Sequence, residues 1–261
     1  MISKETLINQ LKNMGLQPFD TVVLHSSMKA IGEVEGGPDG VLDALCQYFQ
    51  EGLVLIPTHT WEQVTQDHPV FDVRSTVPDI GLIPRVAAFR TDGIRSLHPT
   101  HSLWAFGKRA EEYVAGEEKA ITPTTTGFCW DKIADWGGKI LLAGVGNDKN
   151  TFIHAVEERA KQPDRIGTKA YETTIYDYEG RVIKGKQYNL ECSKTEDISL
   201  FYGIYEKPML ETGVQTFGMF GNAKTGVVDA LGCRKLLMKI FSRATEDIFA
   251  CHDSIPVELY R

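Results

Sequence analysis

Hydrophobic and polar positions along this chain switch repeatedly between two periods. Short, nearly continuous apolar runs at residues 21–25, 53–57 and 139–143 read as strands buried on both faces, and residues 102–106 supply a further strand. Between them the apolar positions return at helical spacing. A helix over residues 4–14 is bracketed by Ser3 as its N-cap and by Gly15 just past its end. Pro38 suits a helix start, and Val41, Leu42, Leu45 and Phe49 then recur on one face. Residues 80–90 read as helical with an early distortion at Pro84, and a short helix is expected near residues 128–134. Strand, loop and helix repeat in this order, which predicts an α/β fold with a mainly parallel central sheet flanked by helices.

The pattern then changes. Residues 171–177 and 181–190 flank Tyr178-Glu179-Gly180, so a small antiparallel β excursion is expected over about residues 170–192, in the C-terminal half. Helices are expected near residues 194–205 and 225–241, separated by residues 214–220. Without a linker, internal repeat or low-complexity tract, residues 1–261 are expected to form one domain carrying that excursion.

Composition narrows the class. A chain of 261 residues with 42% hydrophobic and 24% charged content can bury a substantial core and is ordinary for a soluble protein. No apolar run approaches the roughly 20 residues that span a bilayer, so no membrane partner is expected. The opening MISKETLINQLKNMG reads as an amphipathic helix, without the basic-then-apolar layout of a signal peptide. Cys46, Cys129, Cys192, Cys233 and Cys251 lie far apart and form no C-x-x-C pair, as expected of reduced thiols in a cytoplasmic protein. The net charge of −7 argues against nucleic acid and suits a cationic small molecule.

Candidate chemistry concentrates in GVGNDKNTFIHAVEERA, residues 144–160. Here an apolar strand passes a Gly-x-Gly turn and enters a helix carrying His154 and Glu157. Residues at i and i+3 share a helix face, so Glu157 can reach the ring and favour the imidazolium. The pair is either a base with its orienting carboxylate or a satisfied histidine on a solvated Glu-Glu-Arg face. The loop SSMKAIGEVEGG, residues 26–37, leaves a strand end and enters a helix. It can offer backbone N–H groups and a dipole end to phosphates, with Lys29, Ser26 and Ser27 as added donors, or it is an ordinary βα turn. It contains neither G-x-x-x-x-G-K-S nor G-x-G-x-x-G. His98 and His101 in HPTH have spacing compatible with a metal-dependent amide hydrolase, although Pro99 and the lack of H-E-x-x-H favour a structural turn. Cys129, between Phe128 and Trp130, reads as a buried, inert thiol rather than a nucleophile.

Several of these segments together resemble one family in order and spacing. They are HSSMKAIGEVEGGPDGVLDAL (25–45), LIPTHTW (55–61), RSLHPTHSLWAFG (95–107) and the 144–160 run, and they resemble the aminoglycoside 3-N-acetyltransferases. The resemblance implies a non-GNAT enzyme that moves acetyl from acetyl-coenzyme A to a cationic amine, here the 3-amino group of an aminoglycoside. It implies direct transfer in a ternary complex, with His154 as general base and Glu157 in support. It places coenzyme A on Ser26, Ser27, Lys29, Ile31, Gly32, Val34, Gly36 and Gly37 of the 26–37 loop, with Thr58, Thr124 and Thr125 adding hydroxyls. Asp67, Asp72 and Glu191 are then expected to hold the acceptor ammonium, and no resident metal is expected. One departure stands out. Only EQVTQDHP separates the Pro-Thr-His-Thr-Trp motif from Phe71-Asp72, where family members often carry a long Trp- and Pro-rich insertion that helps to build the acceptor pocket. A coenzyme A-binding relative with a different acceptor is the alternative that this departure raises.

Overall fold

The computed structural model describes residues 1–261 except Thr245, Glu246 and His252 and the side chains of Ala250 and Cys251, so the expectation for the Cys251 thiol lies outside the described residues. The chain begins α1 (Lys4–Asn13), β1 (Thr21–Ser26), α2 (Met28–Ile31), α3 (Gly37–Tyr48), β2 (Leu53–Pro57) and β3 (Val70–Asp72). It continues α4 (Leu82–Ala87), β4 (Ile94–Arg95), β5 (Leu103–Gly107), α5 (Ala110–Val114), α6 (Cys129–Lys132) and β6 (Lys139–Ala143). A 3-10 turn at Asn147–Lys149 leads into α7 (Phe152–Arg159), followed by β7 (Ile166–Tyr176) and β8 (Val182–Leu190). A 3-10 segment, Ile198–Tyr205, precedes α8 (Glu206–Glu211), β9 (Gln215–Phe220), β10 (Ala223–Asp229) and α9 (Ala230–Arg243). Two short helices, α10 (Ile248–Cys251) and α11 (Val257–Tyr260), end the chain.

Seven strands form the main sheet in the order β4-β5-β2-β1-β6-β10-β9. At its centre β1 pairs in parallel with both β2 and β6. β5 and β10 run against their neighbours, so five strands point one way and two the other, which is the mainly parallel sheet expected. Alternation along the central strands serves both faces. Val23, Leu55, Ile140 and Leu142 pack with Phe152 and Val156 of α7 and Leu237 of α9. Val22, Leu24, Val54, Ile56 and Leu141 pack on the other face with Leu7 of α1 and Val41 and Leu45 of α3. Each large side chain buried in this way contributes about 1.5–3 kcal/mol.

Local signals explain most element ends. The Ser3 hydroxyl accepts from the Thr6 N–H at 3.2 Å, and Gly15 takes φ +81 just beyond α1. Pro84 falls in the first turn of α4 and leaves a short helix, Leu82–Ala87. The expected helix over residues 225–241 needs correction. Its first residues belong to β10, where Thr225, Val227 and Val228 pair with β6 and β9, as β-branched side chains favour. The helix starts only after Asp229, whose carboxylate caps the Gly232 N–H at 2.9 Å. The helix expected near residues 194–205 is the 3-10 segment.

The excursion is a second, three-stranded sheet in the order β3-β7-β8. The β7–β8 hairpin is antiparallel, and β3, from the short segment after Trp61, adds to β7 in parallel. Phe71, Val73 and Ile175 form its own small core with Val64. Because β2, β1 and β6 are parallel, their C-terminal ends meet at one edge of the main sheet, the customary place for a ligand crevice.

Candidate active site

A cavity of about 650 Å3 opens at that edge. Its floor comes from Leu24, His25 and Ser26 of β1, Pro57 of β2, and the Val145 and Asp148–Thr151 stretch after β6. His59, Trp61, Thr100 and His101 form one wall, and Asn189–Glu191 with Glu196, Asp197 and Ser199 form another. His154 reaches in from α7.

His154 and Glu157 share the inner face of α7, as their spacing requires, yet they do not touch directly. Glu157 Oε2 lies 3.7 Å from His154 Nδ1, beyond hydrogen-bond reach. Between them stands Tyr202, from the 3-10 segment, with its Oη 2.6 Å from Nδ1 and its hydroxyl donating to Glu157 Oε2. Arg165 Nε donates to the other carboxylate oxygen at 2.9 Å, and the same guanidinium lies 3.4 Å from Asp247. Glu157, Tyr202 and Arg165 are all buried. Burial and the Glu157 charge hold the Tyr202 phenol well above its ordinary range, so it stays protonated. Tyr202 thus spends its single proton on Glu157, and its oxygen accepts from the Nδ1–H of His154. That leaves Nε2 as the basic nitrogen, and among the described residues nothing hydrogen-bonds to it.

The other histidines that line the cavity, His25, His59 and His101, and His98 outside its lining, are held neutral. Burial lowers His25 to about 3 and His98 to about 4. Burial also pushes His59 and His101 well below the usual range, assisted by neighbouring imidazoles. Both ring nitrogens of His98 are committed. Nδ1 accepts from the Thr100 and His101 N–H groups at 3.1 and 2.9 Å, and Nε2 donates to the Thr122 carbonyl at 2.9 Å. His98 is therefore a turn anchor, and no group of three or more possible metal ligands occurs among the described residues. Cys129 is fully buried, with its thiol pushed well above the usual range by burial and by Glu117.

Of the residues singled out from the sequence, His154, Ser26 and Glu191 line the cavity, and Glu157 stands directly behind His154. Others are placed elsewhere. Ile31 and Val34 are buried in the apolar core under α1 and α3, so their side chains are not available to a ligand. Ser27 caps α2, Lys29 is exposed, and Gly32 packs against Asn222. Gly36 and Gly37 start α3 with φ +77 and +60. Thr58 is tied to Ser102 at 2.8 Å and to the buried Arg95. Thr124 donates to Glu158, and Thr125 caps the Ile121 and Thr122 N–H groups. Asp67 is exposed outside the cavity wall, and Asp72 is held by Arg74 through two charge-assisted bonds of 2.9 and 2.7 Å. The cavity wall also carries Asp148, Glu196 and Asp197, which no sequence motif marks. Tyr202 and Arg165 are unmarked too, since nothing local ties them to His154.

Residues 23–242 match the aminoglycoside 3-N-acetyltransferase family, and the chain belongs to it. It is 27% identical over 221 residues to aminoglycoside N(3)-acetyltransferase IV of Salmonella sp, covering 84% of this chain and 80% of that one. It is 29% identical over 242 residues to aminoglycoside N(3)-acetyltransferase III of Serratia marcescens, covering 86% and 88%. The solved structure of AAC-IIIb in binary complex with CoASH has the same fold, with a TM-score of 0.78 at 23% identity over 94% of this chain and 98% of that one. These relatives are acyltransferases, and so is the class to which this chain belongs.

Proposed function

We propose that this protein transfers the acetyl group of acetyl-coenzyme A to an amine of a polycationic acceptor, most simply the 3-amino group of an aminoglycoside. One observation carries the reading. His154 has its Nδ1 side occupied and its Nε2 free at a cavity whose walls bear four carboxylates, Asp148, Glu191, Glu196 and Asp197, against one lysine, Lys149. An alkylamine with a pKa near ~10 arrives as an ammonium and cannot attack a thioester until it loses a proton. The carboxylates hold the ammonium, and neighbouring histidines kept neutral by burial add no repulsion. Nε2 takes one proton from the ammonium, the freed amine attacks the acetyl carbonyl, and the second nitrogen proton leaves with the coenzyme A sulfur as the tetrahedral adduct collapses. Transfer is direct within a ternary complex, because the one cysteine considered for an acyl-enzyme, Cys129, is sealed in the core.

Coenzyme A follows the loop after β1, with its thiol end at Ser26 and its phosphates toward the start of α3. Supporting this, Ser26 lies on the cavity floor, and Gly37 leaves open space where a Cβ would stand. The acceptor side is built around the short connection after Trp61, so the amine range extends beyond aminoglycosides to other compact polyamines. The test is an acetyl-transfer assay on aminoglycosides, amino sugars and linear polyamines, run with the parent and with His154→Gln. Acetylation of a polycationic amine by the parent, reduced about 10²–10⁴-fold in the variant, is expected. No acceptor in the panel, or an unaffected variant, would end the reading.

A further inference from the structure

Two histidines of the cavity have hydrogen-bonding capacity that nothing in the fold spends. His25 is the penultimate residue of β1, paired with Leu142 of β6, and His59 lies two residues past the end of β2. Both line the cavity, at 7% and 3% exposure. The Nε2 atom of each is buried without a hydrogen-bond partner among the described residues. Their neighbours differ, since His98 commits both nitrogens and His101 Nδ1 meets the Thr100 hydroxyl at 3.0 Å. We propose that His59, with His25 beside it, is a catalytic electrophile, a neutral imidazole whose N–H receives the acetyl carbonyl oxygen and the negative charge that gathers there during transfer. The inference rests on the acetyl-transfer reading and supplies what that reading lacks, a donor for the developing oxyanion.

As the amine nitrogen bonds to the acetyl carbon, the carbonyl π pair moves onto oxygen. It returns when the carbon–sulfur bond breaks, so the oxygen needs a donor throughout but never takes a proton. A neutral imidazole carries one N–H and one bare nitrogen, and can donate that hydrogen bond without releasing the proton. An imidazolium in the same place would repel the incoming ammonium. Burial keeps both rings neutral, and His25, His98 and His154 push His59 further the same way. Charge also sorts the cavity. Glu191, Glu196 and Asp197 stand on one wall, whereas the wall of His59, Trp61, Thr100 and His101 carries no carboxylate. An ammonium is favoured at the first and an oxyanion at the second. His25 immediately precedes Ser26, where the thiol end of coenzyme A is assigned, so the thioester arrives beside the histidine pair. The His59 ring is held on three sides, with centroid distances of 4.5 Å to His101, 4.8 Å to Trp61 and 5.3 Å to Trp130. Its backbone is fixed too, because the Thr58 and Thr60 N–H groups donate to the Ser102 and Thr100 carbonyls at 2.8 Å each. Trp130 donates to the His101 carbonyl at 2.9 Å and lies 5.8 Å from the His25 ring, which ties the pair to one rigid indole. A donor held in this way has little to reorganise as charge develops.

His59→Phe keeps an aromatic ring against Trp61 and Trp130 and removes both nitrogens, and His59→Gln brings back an N–H. The first readout needs no acceptor. Infrared difference spectra of acetyl-coenzyme A labelled with 13C at the carbonyl should show the stretch at lower frequency when bound to the parent than when free. That shift should be lost in His59→Phe, return in part in His59→Gln, and shrink in His25→Phe. Turnover in His59→Phe should fall about 10²–10³-fold, the scale for losing one oxyanion donor, while the KM for acetyl-coenzyme A is nearly unchanged. A merely structural His59 would lower Tm and leave the frequency of the bound carbonyl where it is. The same carbonyl frequency in the parent and His59→Phe would overturn the assignment. So would a loss confined to the KM of the amine, which would make the ring an acceptor contact instead. If acetyl-coenzyme A does not bind the parent, the acetyl-transfer reading falls and takes this one with it. A bound but unshifted carbonyl removes only the role of His59.

Discussion

Replacing Arg165 with Met tests whether the groups behind His154 form one electrostatic unit. The Arg165 and Glu157 side chains expose only 4% and 1%, and their contact is a charge-assisted hydrogen bond of 2.9 Å. Met fills much of the arginine stem, so packing is largely kept and the loss is electrostatic. Glu157 would then sit buried with Tyr202 as its remaining donor. Removing one partner of a buried pair costs about 3–5 kcal/mol, because the other charge is left uncompensated. The Pro163 and Asp164 carbonyls that Arg165 also bonds lie beside the exposed surface and can turn to water, so they add little. At about 2–4 °C per kcal/mol for a chain of this size, Tm should drop by roughly 6–20 °C. Adding Glu157→Gln removes the orphaned charge and should recover about half of the loss, a coupling that distant sites do not show. Thermal unfolding of the parent, both single variants and the double variant, at fixed pH and salt, gives every term. A single-variant loss below about 1 kcal/mol, or effects that simply add, would refute the idea that these residues act as a unit.

Stability should fall steeply on acidification below about pH 6.5. His25, His59, His98 and His101 all have folded values depressed by burial, so the unfolded chain binds more protons than the folded one in that range. Their contribution is intact above the unfolded value of about 6.5 and is lost progressively as pH falls from there toward each folded value. Denaturant unfolding at pH 8 and pH 5 should show an uptake of about three to four protons from these rings, and equal stability at both would contradict it. Cys129→Ala, alone or after exhaustive chelation, should leave acetyl transfer unchanged, and no acetylated enzyme should be seen by mass spectrometry with acetyl-coenzyme A alone. Glu191→Gln and Asp148→Asn should each raise the acceptor KM more than that of acetyl-coenzyme A, and the effect should grow with acceptor charge. Gly37→Asn tolerates the positive φ and occupies open space, so it should weaken coenzyme A binding in calorimetry while Tm stays nearly constant.

Apolar periodicity was enough to find β1, β2 and β6, since strands buried on both faces advertise themselves as unbroken apolar runs. The Ser3 cap and Gly15 stop marked α1 in the same local way. Val227, Val228 and Leu231 also fit a helical face, so local periodicity does not separate the stretch from Thr225 to Asp229 from the helix that follows it. The pairing of that stretch with β6 and β9 is non-local and decides for strand. At the site, the spacing of His154 and Glu157 was legible because both ride on one helix. Tyr202, 48 residues beyond His154, has no sequence signal tying it there. Asp72 looked available because a sequence does not reveal that Arg74, two residues on, turns back to grip it. The shortened segment after Trp61 hid a strand, β3, whose partner lies about a hundred residues downstream.

The proposed base and the proposed acceptor wall occupy very different ground. Every residue of α7 from Phe152 to Glu157 is buried, so a change there disturbs the core as well as the chemistry. Glu191, Glu196 and Asp197, by contrast, stand on exposed chain beyond the hairpin, where single replacements usually alter stability by no more than about 0.5 kcal/mol. Under selection this separation gives the molecule room to drift. Variants that exchange one amine for another can accumulate along the rim without passing through inactive ancestors. Diversity among descendants of this chain should therefore gather on that rim, while the helix beneath it stays as it is.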